Sequence, residues 1–200
     1  MPVVLDFDTD YSLEDDCVLL RPFEQNDWQH LLYFTENEVD IWQYSLVPMA
    51  GETNLKVYIN TALQAKEQSK EYPFIVFDKR TQKYAGSTRF YDIQLVNKTL
   101  QLGYTWYGKS FQRTGLNRHC KYLLLQFAFE TLGMERVEFR ADANNARSIA
   151  AMKAIGCTVE GILRSNVPTH TGKRRDSIIL SILKEEWESV VKQKLGAMLV

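Results

Sequence analysis

Apolar and polar positions change their spacing along the chain, and each change marks the start of a predicted element. Apolar residues at three- and four-residue spacings predict helices, whereas short apolar runs bounded by turn residues predict strands. The first half of the chain is predicted to contain a strand, two helices separated by a loop, and a hairpin of two strands: residues 17–23, 26–34, 36–51 (loop), 53–70, 74–77 and 84–91.

The second half continues with a strand, a polar turn that contains Gly115, and a helix that Gly133 ends. The next helix is capped by Asn144 or Asn145 and ended by Gly156. The predicted ranges are 100–107 (strand), 108–117 (turn), 116–133 (helix), 136–141 (strand), 144–156 (helix), 158–163 and 176–183 (strands around a polar excursion at 165–174), and a last helix from about residue 184. Because strands and helices do not strictly alternate, this order predicts an α/β fold of the α+β type with a mixed, mostly antiparallel sheet.

Composition places the chain among ordinary globular proteins, with 200 residues of which 45% are hydrophobic and 24% are charged. No repeat or linker divides it, so residues 17–200 are predicted to form one domain. Residues 1–16 carry six acidic side chains and no basic one, which predicts a solvated acidic arm. No apolar run approaches the roughly 18 residues of a membrane-spanning helix, and the start lacks the features of a secretory signal.

Charge and cysteine content argue against several further classes of protein. The 24 basic and 25 acidic side chains nearly balance, which argues against general nucleic-acid binding. The three cysteines lie far apart without CxxC spacing, which argues against a disulfide framework or a zinc site. We therefore expect a cytoplasmic protein, monomeric or homodimeric, that binds neither nucleic acid nor a membrane.

The turn between the predicted strand 100–107 and the following helix carries the clearest candidate chemistry. Its residues Gln112, Arg113, Thr114, Gly115, Leu116 and Asn117 join a strand to a helix, so several backbone N–H groups and the positive end of the helix dipole face one spot. Residues 93–129 contain no Asp or Glu but five Lys or Arg side chains, and such a one-signed field attracts a polyanion. The sequence thus predicts a pyrophosphate-binding turn.

Three short patterns, in this order of elements, resemble the GNAT acetyltransferase superfamily. They are Gln112-x-x-Gly115-x-Asn117, Asn145-x-x-Ser148 and Ile155-Gly156-Cys157. The strand 19–23 and the closing strands also resemble the Rim-type branch, which includes the ribosomal-protein N-terminal acetyltransferases. The resemblance implies a six- to seven-stranded sheet with helices on both faces, splayed at its central strands, and acetyl-CoA as the cosubstrate.

The resemblance also implies roles for individual residues. The turn residues Gln112, Arg113, Thr114, Gly115, Leu116 and Asn117 would hold the pyrophosphate. The strand through Tyr104, Thr105 and Trp106 would pair with the pantetheine arm, with a backbone N–H at Tyr104 donated to the thioester carbonyl. Asn145 would contact the pantetheine arm, and Ser148 would protonate the departing thiolate.

Other positions depart from the superfamily's pattern. The turn ends on Asn117 in place of the usual Gly or Ala, and Met152 occupies the position of a common tyrosine acid. Val167 and Arg140 stand where some relatives have a glutamate base. The base is therefore unassigned, and a water relay or an acceptor amine of low pKa is expected. Five carboxylates are open candidates: Glu38, Asp40, Asp92, Glu138 and Asp142.

Several side chains have two possible roles. Cys120 is interpreted as a core residue rather than a nucleophile, and His119 as a solvated residue at a helix start rather than a base. Trp42 and Tyr44 either shape an acceptor pocket or simply pack. His170 either approaches the acceptor or lies in an exposed turn.

Together these features predict an N-acetyltransferase that moves an acetyl group from acetyl-CoA to a primary amine in a ternary complex. The acceptor is a protein N-terminus, an amino acid or a small amine. The alternative is a non-catalytic acyl-CoA-binding or sensing module that keeps the cofactor turn but lacks the acid and the base.

Overall fold

The computed structural model of the chain describes residues 5–199. It contains one open sheet in the order β1-β2-β3-β4-β5-β6-β8-β7. The strands are β1 (Leu13–Glu14), β2 (Val18–Pro22), β3 (Tyr72–Asp78), β4 (Lys83–Gln94), β5 (Thr99–Tyr107), β6 (Arg136–Asp142), β7 (Thr158–Pro168) and β8 (Arg174–Leu183). Among the strands of residues 5–199, only β5 and β6 pair in parallel. The predicted mixed, mostly antiparallel fold is confirmed, with eight strands in place of six or seven.

Helices cover both faces of this sheet. They are α1 (Trp28–Asn37), α2 (Gly51–Glu67), α3 (Leu116–Gln126), α4 (Ala146–Ala154), α5 (Lys184–Glu186) and α6 (Lys192–Gly196). The Tyr58 hydroxyl of α2 lies 3.2 Å from the Ser87 hydroxyl of β4. Phe127, directly after α3, stacks on Phe90 of β4 at 6.3 Å between ring centroids. Ser87 and Phe90 are three residues apart on β4, so their side chains face opposite sides of the sheet. The helices that they contact, α2 and α3, therefore lie on opposite faces of the sheet. None of the helices in residues 5–199 is both long and apolar enough to cross a bilayer.

The closing hairpin is longer than predicted. The expected polar excursion at 165–174 is wrong for residues 165–168 and 174, because β7 continues to Pro168 and β8 begins at Arg174. The Arg174 guanidinium donates to the carbonyl oxygens of Ser165 and Asn166, and the Asp176 carboxylate accepts the Ser165 N–H. Polar side chains here serve strand pairing, which a hydrophobicity pattern does not detect.

The N-terminal segment packs against the body of the protein. Leu5 is buried, and the Tyr11 N–H donates to the Tyr72 hydroxyl at 2.9 Å. Asp15 Oδ2 lies 2.6 Å from Nδ1 of His119, which is buried on α3. Residues 5–16 are therefore not a free arm, although all of their acidic side chains except Asp15 are exposed; residues 1–4 lie outside the described chain. The reading of His119 as solvated is also wrong.

We expect the Asp15–His119 contact to make stability depend on pH. Burial opposes ionisation of Asp15, but hydrogen bonds from His119 and from the N–H groups of Cys17 and Val18 lower its pKa below the ordinary 3.8. The ionised Asp15 therefore contributes its full stabilisation above the ordinary pKa of 3.8, and this stabilisation is lost as the pH falls through the lowered pKa. Asp15→Asn should reduce the free energy of unfolding by about 1 kcal/mol at pH 7.

Urea unfolding at neutral pH and again below the ordinary Asp pKa measures this effect. The deficit of Asp15→Asn should shrink at the lower pH, whereas Asp16→Asn, at the exposed neighbouring residue, should stay within about 0.5 kcal/mol of the wild type at both. An equal deficit for Asp15→Asn at both pH values would show that the charge does not contribute.

Candidate active site

The two central strands separate within the sheet. β5 and β6 pair only where Thr99–Gln101 faces Arg136–Glu138, and they continue to Tyr107 and Asp142 without pairing each other. The register between β4 and β5 also shifts between Ser87 and Arg89, and Tyr104 has a φ of 49°. A non-glycine residue at positive φ in a shifted register marks a β-bulge. A wedge therefore opens between β5 and β6, beside the bulge.

Side chains of β5 face both sides of the sheet at this wedge. The Tyr104 ring lies 4.1 Å from the guanidinium carbon of Arg89, and Trp106 packs edge-on against Trp42 at 4.4 Å between centroids. The Thr105 hydroxyl faces α3, where it accepts a hydrogen bond from Lys121 Nζ at 2.8 Å. The bulge is thus fixed from both faces. The buried Trp106 Nε1–H has no acceptor within residues 5–199.

Arg89 anchors the face of the bulge that α2 covers. Its side chain is only 4% exposed, and its Nη1 lies 2.6 Å from Glu71 Oε2. Burial alone would lower the pKa of Arg89, but the neighbouring Tyr58 and Glu71 raise it, so the guanidinium stays charged. Burial raises the pKa of the Tyr104 phenol, which keeps the phenol protonated at neutral pH. The Tyr104 ring thus lies against a buried cation.

The turn before α3 presents free backbone amides. Gly115 caps the helix with a φ of 91°, which places this residue in the left-handed region. The Gln112 N–H donates to the Lys109 carbonyl, and the Leu116 N–H makes a long contact of 3.4 Å with the Thr114 hydroxyl. Four other N–H groups have no acceptor anywhere in the described chain: those of Arg113, Thr114, Gly115 and Asn117. A Cβ added at Gly115 would meet nothing within 4 Å, so the space over the turn is open.

Basic side chains surround this turn. Arg113 and Arg118 are exposed, and Arg80 Nη1 donates to the Thr114 carbonyl at 3.2 Å. Arg147 of α4 donates to Gln112 Oε1 at 2.8 Å. Free amides, open space and positive charge together fit a pyrophosphate group. Sequence reasoning missed Arg80, which comes from the β3–β4 turn, and it passed over Arg147, although Arg147 lies within the Asn145-x-x-Ser148 pattern.

Gln112 is used differently from its predicted role. Its Nε2 donates to the Tyr107 carbonyl at 2.9 Å, while its Oε1 accepts from Arg147. The side chain therefore joins the end of β5 to the start of α4. Gln112 fixes the position of the turn, and the free amides follow it in the sequence.

Asn145 and Ser148 lie at the start of α4. Asn145 Oδ1 accepts the Ser148 N–H at 3.1 Å, as an N-cap residue does. Ser148 is half-buried, and its hydroxyl makes no hydrogen bond in the part of the chain that the structure describes. Both residues follow β6, whereas Tyr104 belongs to β5. Asn145 and Ser148 therefore follow the β6 side of the wedge, whereas Tyr104 lies on its β5 side.

Two adjoining cavities lie beyond the end of β6. A cavity of about 330 Å³ is lined by polar side chains that include Tyr44, Asp142 and Arg175. A second, of about 430 Å³, is lined mainly by apolar side chains that include Trp42. His170 lines both cavities, and its Nδ1 lies 3.1 Å from the Ser45 carbonyl oxygen. Trp42, Tyr44 and His170, which sequence reasoning left open, are therefore brought together at one concave surface.

Of the five candidate carboxylates, only Asp142 lines either cavity. Its Oδ1 accepts hydrogen bonds from the backbone and side chain of Asn144 at 2.9 and 3.0 Å, while no donor in residues 5–199 contacts Oδ2. The other four are held by neighbours: Glu38 by the Lys109 N–H, Asp40 by Lys109 Nζ, Asp92 by Gln94 and Gln101, and Glu138 by Arg136 and Arg140.

The three cysteines are free thiols. Cys120 has no exposed surface, and burial raises its pKa to about 12, so its thiolate is scarce at neutral pH. This agrees with the interpretation of Cys120 as a core residue. A carboxylate oxygen of Asp15, the sulfur of Cys17 and a ring nitrogen of His119 lie within 4.8 Å of one another. The Asp15–His119 contact described above joins two of these residues.

Comparison with known proteins identifies the family. Residues 18–158 match the acetyltransferase (GNAT) domain family. The chain is 32% identical over 103 residues to the "Putative ribosomal N-acetyltransferase YdaF" of Bacillus subtilis (strain 168); the match covers 52% of this chain and 55% of that relative. The resemblance noted in the sequence is confirmed, and the name of this relative agrees with the Rim-type branch.

Solved structures share the fold. A GCN5-related N-acetyltransferase from Brucella melitensis superposes with a TM-score of 0.86 at 24% identity, covering 95% of this chain and 86% of its own. The microcin C7 self-immunity acetyltransferase MccE, solved in complex with acetyl-CoA and AMP, superposes with a TM-score of 0.75 at 22% identity. That match covers 84% of this chain and 93% of MccE.

Proposed function

The chain belongs to the GNAT acetyltransferase family and is an acyltransferase, and on that premise we propose that it moves an acetyl group from acetyl-CoA to a primary amine. The acceptor is a protein N-terminus, an amino acid or a small amine, which attacks the thioester directly in a ternary complex. The observation that carries this proposal is the set of free amides at Arg113, Thr114, Gly115 and Asn117, next to the open wedge.

The cosubstrate would lie along this wedge. The backbone from Arg113 to Asn117 would hold the pyrophosphate, with Arg80 and Arg147 adding positive charge nearby. The unpaired edge of β5 through Tyr104 would receive the pantetheine arm, and Asn145 would contact the arm from α4. Bound acetyl-CoA supplies an acyl group activated as a thioester. A backbone N–H at the Tyr104 bulge would hold the carbonyl oxygen as negative charge develops, and such a donor is worth about 3–4 kcal/mol.

The acceptor would enter from the cavities beyond β6. An alkyl amine of pKa about 10.4 is only about 0.04% neutral at pH 7, whereas an N-terminal amine of pKa about 8 is about a tenth neutral. Asp142 lines the polar cavity, and its Oδ2, which has no donor within residues 5–199, would accept the proton that an attacking ammonium must lose. Ser148 remains the sequence-based candidate for protonating the departing thiolate.

The alternative function is a non-catalytic acyl-CoA-binding or sensing module. It is favoured by Met152 in place of the usual tyrosine acid. A cytoplasmic location and a monomeric or homodimeric state also remain predictions.

Thiol release from acetyl-CoA, measured against a panel of primary amines, amino acids and short peptides, separates the two functions. We expect release that depends on the amine and saturates with it, and acetylated product by mass spectrometry. Tight binding of acetyl-CoA without amine-dependent release across the panel would contradict the transferase and favour the sensor.

A further inference from the structure

A lysine is buried at the wedge between β5 and β6. The Lys121 side chain extends from α3, and only 5% of the residue is exposed. Its Nζ donates to the Thr105 hydroxyl of β5 at 2.8 Å and lies 5.7 Å from the centroid of the Phe139 ring of β6. These are the two strands that stop pairing after Gln101 and Glu138. The cationic end of Lys121 therefore lies between the separating strands, beside the residue that follows Tyr104.

The positive charge of Lys121 has few partners in the described chain. The ammonium has three N–H donors, and the Thr105 hydroxyl is its one hydrogen-bond partner within the described chain. No carboxylate of residues 5–199 forms an ion pair with it. A buried charge without a counter-ion is costly, and a titratable group buried in this way beside an open wedge is a candidate functional group.

Acetyl transfer in the wedge would need an acid of this kind. When an amine displaces coenzyme A, the sulfur atom leaves with the electron pair of the C–S bond. Burial lowers the pKa of Lys121 to about 8, which is close to the value of about 8.5 for a free thiol. Proton transfer between groups of matched pKa is efficient near neutral pH. A serine hydroxyl such as that of Ser148 is a far weaker acid.

We propose that the Lys121 ammonium protonates the coenzyme A sulfur as it leaves, so that Lys121 rather than Ser148 is the acid of the reaction. The new bond joins the acceptor nitrogen to the carbonyl carbon, and the C–S bond breaks. The proton of Lys121 converts the thiolate to the thiol, while the proton of the amine goes to Asp142 or to water. Neutral Lys121 then regains a proton from solvent after coenzyme A departs. This role rests on the proposed acetyl transfer.

Three titratable groups near Lys121 leave this proton transfer undisturbed. Burial raises the pKa of Cys120 on the same helix to about 12, and that of Cys157, which precedes β7, to about 12. Burial also raises the pKa of the Tyr107 phenol, which contacts Cys120. All three stay neutral through the range in which Lys121 titrates. With an alkylamine acceptor, whose own pKa is about 10.4, a pH effect near 8 therefore reports on Lys121.

Three variants of the full chain test the role: Lys121→Met, Lys121→Arg and Ser148→Ala. Methionine has a similar length without charge, so it suits an apolar site and should preserve folding. Arginine keeps the positive charge but does not release its proton near neutral pH. Thermal unfolding of each variant controls for folding.

The first readout is the pH dependence of kcat with the best alkylamine of the panel. In the wild type, kcat should fall as the pH rises through about 8, because the ammonium is lost. In Lys121→Met, kcat at neutral pH should be about 100-fold lower without that decline, and Lys121→Arg should be similarly slow. Ser148→Ala should keep the decline of kcat above pH about 8, because the group that titrates there is Lys121.

The second readout uses coenzyme A alone and does not need turnover. Difference absorbance of the bound thiolate gives the proton affinity of the thiol. In the wild type, the bound thiol should hold its proton about 10-fold less tightly than free coenzyme A, because the ammonium stabilises the thiolate. Lys121→Arg should retain this effect, and Lys121→Met should lose it with little change in coenzyme A affinity.

The proposal would be overturned if kcat still declined above pH about 8 in Lys121→Met but no longer did so in Ser148→Ala. It would also be overturned by a bound thiol that titrates identically in the wild type and in Lys121→Met. A wild type that binds coenzyme A but acetylates no amine would contradict the proposed function. The thiolate titration would then still decide whether Lys121 faces the sulfur.

Discussion

Gly115→Glu is expected to abolish coenzyme A binding while leaving the fold intact. The residue caps α3 at a φ of 91°, and a Cβ built there meets nothing within 4 Å. A glutamate would therefore extend into the open space that the free amides of Arg113 and Thr114 face, where it would exclude a pyrophosphate by volume and by charge. We expect the dissociation constant measured by calorimetry to rise at least about 100-fold, which is about 2.7 kcal/mol.

Gly51→Glu is the matched control. Gly51 begins α2 at a φ of 79°, and an added Cβ there also meets nothing within 4 Å. It carries the same backbone strain of about 1–2 kcal/mol without facing the turn. We expect Gly51→Glu to lose a comparable amount of stability and to bind coenzyme A as the wild type does. Unchanged affinity in Gly115→Glu would show that the cofactor does not bind over this turn.

Asp142→Asn is expected to reduce kcat by about 100- to 10,000-fold, the usual contribution of a general base. Asparagine keeps an oxygen to accept from Asn144, as Asp142 Oδ1 does, so the start of α4 should not move. The proton acceptor at Oδ2 is lost. Coenzyme A affinity should stay unchanged, because the predicted phosphate contacts come from another element. The deficit should be smaller for an acceptor of low pKa, because more of that amine is already neutral.

Asp40→Asn is the control for this substitution. Asp40 pairs with Lys109 on the surface, where its side chain is 80% exposed. Removing it should change kcat less than about 2-fold, since an exposed ion pair contributes little. Equal activity of Asp142→Asn and the wild type with a high-pKa alkylamine would exclude Asp142 and leave a water relay as the route for the proton.

The turn could be predicted from sequence because it is a local feature. A strand, a glycine and a helix start follow one another within about a dozen residues, so the direction of the amides depends on few long-range contacts. The order of most helices and strands along the chain, and the α/β class, follow similarly from hydrophobic spacing. The two-residue β1 could not be found this way, because only its pairing with β2 makes Leu13–Glu14 a strand.

The roles of polar side chains depended on long-range contacts. His119 and Lys121 lie on one polar stretch of α3, yet His119 faces Asp15, from the N-terminal segment, and Lys121 faces Thr105 on β5. Neither partner is near in sequence, so their burial could not be anticipated. The five candidate carboxylates were equivalent in the sequence. Only the structure shows that Asp142 lines a cavity while Glu138 is held between two arginines.

A crystal structure of the chain with coenzyme A bound would test the central claim most directly. We predict that the pyrophosphate oxygens accept hydrogen bonds from the N–H groups of Arg113, Thr114, Gly115 and Asn117. We also predict that the pantetheine arm lies along β5 beside Tyr104. Coenzyme A bound away from the turn before α3, with those amides still free, would contradict the account.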